Sequence, residues 1–262
     1  MVTARHAALT AMGNKVPEIT LAFWIIKILS TTVGETGADY LAVHVGLGTL
    51  ATDALMLTLL VASLAAQFTA SEYIPWRYWL TVVLISVVGT QITDFLTDKL
   101  EVSLYVSTVV FAIALAVTFA IWYAIERTLS IHSIVSRRRE AFYWLAILFT
   151  FALGTAAGDL ATEALQMGFT LGVLIFGLLI AVTYAAYRLG AGPVLTFWIA
   201  YILTRPLGAS LGDLLSQSQS YGGLGIGTIA TSAAFLLVIV ALVTWVSVTG
   251  FDRPRSIESG EA

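Results

Sequence analysis

The stretch from Tyr143-Trp144 to Gly158-Asp159, YWLAILFTFALGTAAGD, decides the fold because its frame occurs four times. In every copy an aromatic residue precedes tryptophan, glycine follows the tryptophan by ten residues, a small residue by fourteen and aspartate by fifteen. The repeated residues are Trp24, Trp79, Trp144 and Trp198, and then Asp39, Asp94, Asp159 and Asp213. Agreement at so many fixed offsets indicates an internal repeat of about 55–65 residues.

The composition is that of a membrane protein. The chain is 58% hydrophobic and 11% charged, with a mean hydropathy of +0.90, whereas soluble domains carry about 25% charged residues. Apolar runs of about 20 residues are typical of transmembrane helices, because that length crosses the hydrocarbon core of a bilayer. The chain has no cysteine, which excludes disulfides and thiolate metal sites.

We therefore predict an all-α membrane protein with eight transmembrane helices, arranged as four parallel two-helix repeats. The repeats span roughly 17–67, 73–125, 138–188 and 192–249 of a single membrane domain, 1–262. The polar tail 251–262 is expected to be disordered. Outside the spans, lysine and arginine residues flank one side of the membrane, and on the other side only Lys99 appears. By the positive-inside rule, both termini are expected in the cytoplasm.

Each motif helix carries one polar face. In a helix that turns 100° per residue, the glycine, the small residue and the aspartate of the frame lie within one arc of the helix surface. In the first repeat, Lys27 and Glu35 lie within the same arc. Lipid cannot satisfy such a face, so the four faces are expected to converge. The small residues predicted to allow close helix packing are Gly34, Gly89, Gly154, Gly208, Gly158 and Gly212. The aromatic-tryptophan pairs are expected to anchor or to pack the helices.

The carboxylates of Asp39, Asp94, Asp159, Asp213 and Glu35 are the candidate metal ligands. Burying an acid at membrane depth costs about 2.5–3.5 kcal/mol, so a cluster indicates that cations or protons satisfy it. Carboxylate oxygens without cysteine suit hard ions such as Mn²⁺, Mg²⁺ or Ca²⁺.

Four tandem two-helix repeats, each with a tryptophan, resemble a bacterial family of membrane proteins built from a "repeat of unknown function". Its members are usually labelled uncharacterised membrane-anchored proteins. The resemblance covers about residues 17–250 and rests on motifs of high specificity. It implies an eight-helix, multi-pass protein of the bacterial inner membrane, and it implies no established activity or catalytic residues.

The function expected from the acids is a cation transporter or exporter, with a hard divalent metal such as Mn²⁺ as the substrate and no resident cofactor. The lipid bilayer is the expected environment, and nucleic acid is not an expected partner. A homo-oligomer is a possible assembly that the sequence leaves open. Two alternatives also stay open: a membrane-anchored sensor or regulator without transport, and a passive cation channel. An intramembrane aspartyl protease is disfavoured because the first glycine of its Gly-x-Gly-Asp signature is missing before Asp159 and Asp213; we expect no enzymatic activity.

Two basic residues stand at frame positions that are uncharged in the other repeats, namely Lys27 and Arg205. If four repeats close into a ring, the first and seventh helices become neighbours. Arg205 is then expected within ion-pair reach of Glu35, Asp39 or Asp213. Pro206 predicts a kink or break in the same helix, so that Arg205, Lys27 and Pro206 together would form a gate.

Overall fold

Helices are the only regular secondary structure in the described part of the protein. In the computed structural model, residues 13–39 and 48–254 are described, and the side chains of residues 35–39 and of Glu163 fall outside that description. Over these ranges the secondary structure is all helix and no strand, which confirms the predicted all-α class. The eight long helices are α1 Leu21–Asp39, α2 Thr49–Thr69, α3 Pro75–Asp94, α4 Leu104–Glu126, α5 Arg137–Asp159, α6 Gly168–Arg188, α7 Pro193–Ser216 and α8 Thr228–Thr249.

Helix boundaries follow local sequence signals. α3 and α7 begin at Pro75 and Pro193, where the missing N–H of proline leaves no hydrogen bond unmade. α1, α3 and α5 end at the motif aspartate of their repeat. After α3 and α5 the backbone widens into π-helical turns, Phe95–Lys99 and Leu160–Ala164. Such turns are rare and are frequent at functional sites.

The four motif helices form a closed inner ring. α1 packs against α3, α3 against α5, α5 against α7, and α7 returns to α1. The ring therefore places the first and fourth repeats side by side, as closure of the repeats requires.

Each outer helix packs against the inner helix of the following repeat. α2 lies on α3, α4 on α5, α6 on α7, and α8 on α1. For α2 on α3 and α6 on α7, the short links 70–74 and 189–192 favour this arrangement, because a short link makes consecutive helices antiparallel neighbours. Adjacent repeats are thereby interlocked around the ring.

The outer helices expose apolar faces. Seven of the described helices are long and apolar enough to cross a membrane, while the apolar part of α1, Leu21–Gly34, is shorter. In the most apolar 18 residues of each outer helix, only 11–22% are buried inside the protein. The corresponding share is 56–61% for α3, α5 and α7. Exposed residues such as Val117, Leu178 and Leu237 cover the outside. These surfaces suit hydrocarbon better than water.

The predicted disorder of the tail is wrong for its first residues. Asp252 is buried, and the Tyr73 hydroxyl donates a hydrogen bond of 2.5 Å to its Oδ2. The backbone N–H of Glu18 donates to the Asp252 carbonyl at 3.0 Å. The chain after α8 therefore packs onto the segments that precede α1 and α3. Residues 255–262 lie outside the described part.

Candidate functional site

An aromatic layer closes one end of the inner ring. It consists of the aromatic-tryptophan pair of each repeat, and the aromatic residue of one repeat packs on the tryptophan of the next. The ring-centroid distances are 5.5 Å for Phe23–Trp79, 5.4 Å for Tyr78–Trp144, 6.3 Å for Tyr143–Trp198 and 5.7 Å for Phe197–Trp24. The last pair joins the fourth repeat to the first, so the same contact recurs around a closed circle.

The aromatic layer is buried and partly polar. The hydroxyls of Tyr78 and Tyr143 form a hydrogen bond of 2.6 Å. Trp79, Trp144 and Trp198 are 2–4% exposed, which favours packing over anchoring at a membrane interface. We call this the aromatic end of the ring, and the opposite end, which carries the motif aspartates, the acidic end.

A second cyclic contact lies beyond the aromatic layer. The glycine ten residues after each tryptophan faces the residue seven positions after the tryptophan of the next repeat. The pairs are Gly34–Ser86, Gly89–Phe151, Gly154–Arg205 and Gly208–Thr31. A Cβ atom on any of these glycines would lie 2.7 Å or less from that partner side chain. The absence of a side chain therefore sets the spacing of the inner helices.

The next turn of the frame repeats the same register. Thr93 Oγ1 donates a hydrogen bond of 3.1 Å to the carbonyl of Ala152. Thr32 Oγ1 donates one of 2.8 Å to the carbonyl of Gly208. A Cβ atom on Gly158 would lie 3.4 Å from Pro206, and one on Gly212 would lie 2.8 Å from Thr32.

Of the expected kink or break at Pro206, the break is wrong, because α7 runs without interruption from Pro193 to Ser216, and the kink stays a prediction. Pro206 is buried against Gly154 and Gly158 of α5, whose lack of side chains accommodates the pyrrolidine ring. The helix therefore stays continuous although proline removes one backbone hydrogen bond.

Two basic side chains cross the axis of the ring. Lys27 of α1 is 1% exposed, and its Nζ lies 4.0 Å from the ring centroid of Phe151 on the opposite helix, α5. The same nitrogen lies 4.3 Å from the ring centroid of Tyr201. Arg205 of α7 is fully buried, and its guanidinium donates a hydrogen bond to Thr90 Oγ1 on α3, again the opposite helix.

Several polar atoms around these side chains have no hydrogen-bond partner among the described residues: Lys27 Nζ, Ser86 Oγ and Tyr201 Oη. Leaving a buried polar group unpaired costs about 1–3 kcal/mol. We define the central polar site by Lys27, Ser86, Thr90, Tyr201 and Arg205. Its donors, and above all the Nζ of Lys27, are suited to contact water or a charged group that enters the ring.

The motif acids lie at the acidic end. Asp94, Asp159 and Asp213 are half-buried on α3, α5 and α7. The side chains of Glu35 and Asp39 fall outside the described residues, and so does the predicted pairing of Arg205 with them. Among the side chains that the structure describes, which leave out Glu35, Asp39 and Glu163, no three histidine or acidic groups come together in a way that could hold a metal ion.

Sequence reasoning missed two features of the described part. Tyr201 occupies the same frame position as Lys27, three residues after its tryptophan, so the repeat itself carried the signal. The second feature is a buried ion pair near the aromatic end, in which Lys15 Nζ lies 2.7 Å from Glu140 Oε2. The spacing of 125 residues between this pair gave no sign of contact.

The geometry defines a class of protein: an eight-helix bundle in which four homologous inner helices surround a buried, charged centre. The chain belongs to the family described as Repeat of Unknown Function (DUF347), which matches residues 22–73, 77–128, 142–190 and 196–250. The four matches confirm the predicted repeat family. The chain has no match among curated proteins or solved structures.

Proposed function

We propose that this protein is a membrane carrier for a cation, with a hard divalent metal such as Mn²⁺ as the expected substrate. The observation that carries the proposal is the burial of Lys27 and Arg205 inside the inner ring, on the side of the aromatic layer that leads to the acids. Ionisable side chains at membrane depth are costly, and by default they indicate a transport pathway or a proton relay.

The charge balance of this region favours a cation. Beyond the aromatic layer, the inner helices carry two basic side chains, Lys27 and Arg205. They carry five acids: Glu35, Asp39, Asp94, Asp159 and Asp213. With every group ionised, three negative charges are left over. A cation entering from the acidic end would neutralise this excess, and its positive charge would compete with Lys27 and Arg205 for the carboxylates.

A carrier fits better than a passive channel. Lys27 reaches Phe151 and Arg205 reaches Thr90, so side chains of opposite helices meet across the axis. The aromatic layer fills the ring on the far side of these contacts. A cation could pass only after these groups move, and such a movement can be linked to cation binding.

The membrane setting belongs to the same proposal. All eight helices would cross a bacterial inner membrane, with α1 completing the seven that are long and apolar enough. The basic residues near the aromatic end, among them Arg77, Arg137 and Arg188, support a cytoplasmic location for that end by the positive-inside rule. The acidic end would then face outward.

The test is cation flux through the purified full-length protein in liposomes. Mn²⁺, Mg²⁺ and Ca²⁺ would each be supplied outside, with a metal-sensitive dye inside. We expect flux of at least one ion, and a loss of at least tenfold in Asp94→Asn, Asp159→Asn and Asp213→Asn. Asp98→Asn is the matched control, because Asp98 is exposed and outside the frame. Absence of flux for all three ions, or flux unaffected by the three substitutions, would overturn the proposal.

A further inference from the structure

We infer that Lys27 carries the proton that couples cation movement to a proton gradient, so that the protein exchanges a cation for protons. This inference rests on the proposed cation transport and adds the nature of the coupling ion. It starts from the position of one side chain: the Nζ of Lys27 is buried on the ring axis between Phe151 and Tyr201 and has no hydrogen-bond partner in the described part.

Lys27 is the group in the central polar site whose chemistry allows it to gain and lose a proton. Arginine stays protonated in proteins, so Arg205 serves as a fixed charge. Serine and threonine do not titrate, and the phenol of tyrosine ionises only near pH 10 or above. A lysine buried among apolar groups, by contrast, gives up its proton readily.

The helices packed around Lys27 bring one fixed charge and several polar side chains to its surroundings. α7 contributes Arg205 and Tyr201, and Tyr143 of α5 interacts with Tyr201 on the aromatic-end side. The faces of α3 that point to the ring hold Ser86 and Thr90 near the centre and Tyr78 in the aromatic layer. α8, which also packs on α1, has no titratable residue.

The motif acids complete the electrostatic environment. Glu35 and Asp39 follow Lys27 on its own helix, with Asp39 about 18 Å along the axis at helical rise. The acids of the other inner helices are Asp94, Asp159 and Asp213. A protonated Lys27 can supply part of the positive charge that these carboxylates require. It can also withdraw that charge by losing its proton.

The exchange step is then simple. In the exchange that we infer, Lys27 is an ammonium ion while the carboxylates hold no cation, because their negative charge favours its protonated form. When a cation binds to the carboxylates, that stabilisation is lost, and one N–H bond of Lys27 breaks. The proton passes to water, and the electron pair stays on a neutral amine. That amine is also a hydrogen-bond acceptor, which suits the unpaired hydroxyls of Ser86 and Tyr201. Release of the cation allows a proton to return.

The experiment measures cation and proton movement together. Full-length protein is placed in liposomes that contain a pH dye, and the cation that moves in the flux assay is added outside. We expect the interior to become more alkaline as the cation enters, and an imposed outward proton gradient to accelerate uptake severalfold. Cation flux in the native protein without any proton movement would overturn the inference and leave the proposed function intact. Absence of all cation flux would instead overturn the proposed function.

Two substitutions locate the proton. Lys27→Met removes the titrating group, and Lys27→Arg keeps a charge that cannot be released. Both are expected to move fewer protons for each cation than the native protein and to lose the response to an imposed proton gradient. Ile147→Met puts methionine at the equivalent position of the third repeat and should keep all activities. A native ratio of protons to cations in either folded Lys27 variant would overturn the assignment, and so would the absence of all cation flux in both.

Discussion

Gly208 of α7 and Thr31 of α1 join the fourth repeat to the first, and this contact closes the inner ring. A Cβ atom at Gly208 would collide with Thr31 Oγ1 and would lie 3.0 Å from the carbonyl oxygen of Ile28. The same glycine is the acceptor for Thr32 through its carbonyl at 2.8 Å. Ring closure therefore depends on the missing side chain at this position.

The first prediction follows from this contact. Gly208→Ala should lower the free energy of unfolding by about 1–3 kcal/mol, because the extra methyl group forces α1 and α7 apart. Gly177→Ala is the control, since a Cβ atom at Gly177 meets nothing within 4 Å; it should be neutral or stabilising by up to about 1 kcal/mol. Denaturant unfolding in detergent measures both, and equal stabilities would contradict the prediction.

The hydroxyl pair of the aromatic layer gives a second prediction. Tyr143→Phe should destabilise the protein by about 1–3 kcal/mol, because the buried hydroxyl of Tyr78 loses its partner. The double variant Tyr78→Phe/Tyr143→Phe should recover most of this loss. Phenylalanine occupies the same frame position in the other two repeats, at Phe23 and Phe197. A double-mutant cycle of unfolding free energies tests this, and additive losses would disprove it.

The buried pair between Lys15 and Glu140 gives a third prediction. Lys15→Met should cost about 3–5 kcal/mol, since a buried carboxylate then loses its cation. Arg138→Gln is the matched control, because Arg138 is 67% exposed and Glu126 keeps its ion pair with Arg139. This substitution should lower the free energy of unfolding by about 0–1 kcal/mol. Thermal unfolding of the two variants should separate them clearly. A Lys15→Met protein as stable as Arg138→Gln would refute the buried-pair argument.

Asp252 predicts a pH dependence of stability. Burial raises the pKa of the Asp252 carboxyl, although the hydrogen bond from Tyr73 and the charge of Arg253 oppose the shift. The folded protein then binds a proton that the unfolded chain has released. The stability contributed by the neutral acid is therefore complete below the unfolded pKa, about 3.9, and is lost as pH rises through the higher folded value.

The test of this dependence compares the native protein with Asp252→Asn. Asparagine keeps an oxygen that can accept from Tyr73 and cannot ionise. From about pH 4 upward, the melting temperature of the native protein should fall relative to that of Asp252→Asn. Asp98→Asn, at an exposed site, should follow the native curve. Parallel curves for the native protein and Asp252→Asn would show that Asp252 does not carry the effect.

The fifth prediction concerns Arg205. Arg205→Gln should abolish cation flux in liposomes or uncouple it from proton movement, because the fixed charge that competes for the carboxylates is removed. The protein should still fold and enter the membrane, which is checked by gel filtration in detergent. Arg188→Gln, at an exposed residue at the end of α6, should transport normally. Native-like coupled flux in Arg205→Gln would exclude a role for Arg205 in the mechanism.

The sequence by itself determined the repeat, the helical class and the inner face of each motif helix. This was possible because fixed offsets at a helical period place glycine, the small residue and aspartate on one side of a helix whatever surrounds it. The location of Lys27 and Arg205 on the inner helices followed from the same frame. The family assignment followed from the four-fold recurrence of the motif.

Only the tertiary structure decided which residues meet. Lys27 lies over Phe151 of the opposite repeat, and each outer helix packs mainly on the inner helix of the next repeat. These contacts depend on the closure and rotation of the ring, which no local pattern encodes. The continuity of α7 through Pro206 also required the structure, because the glycines of α5 that make room for Pro206 come from another repeat.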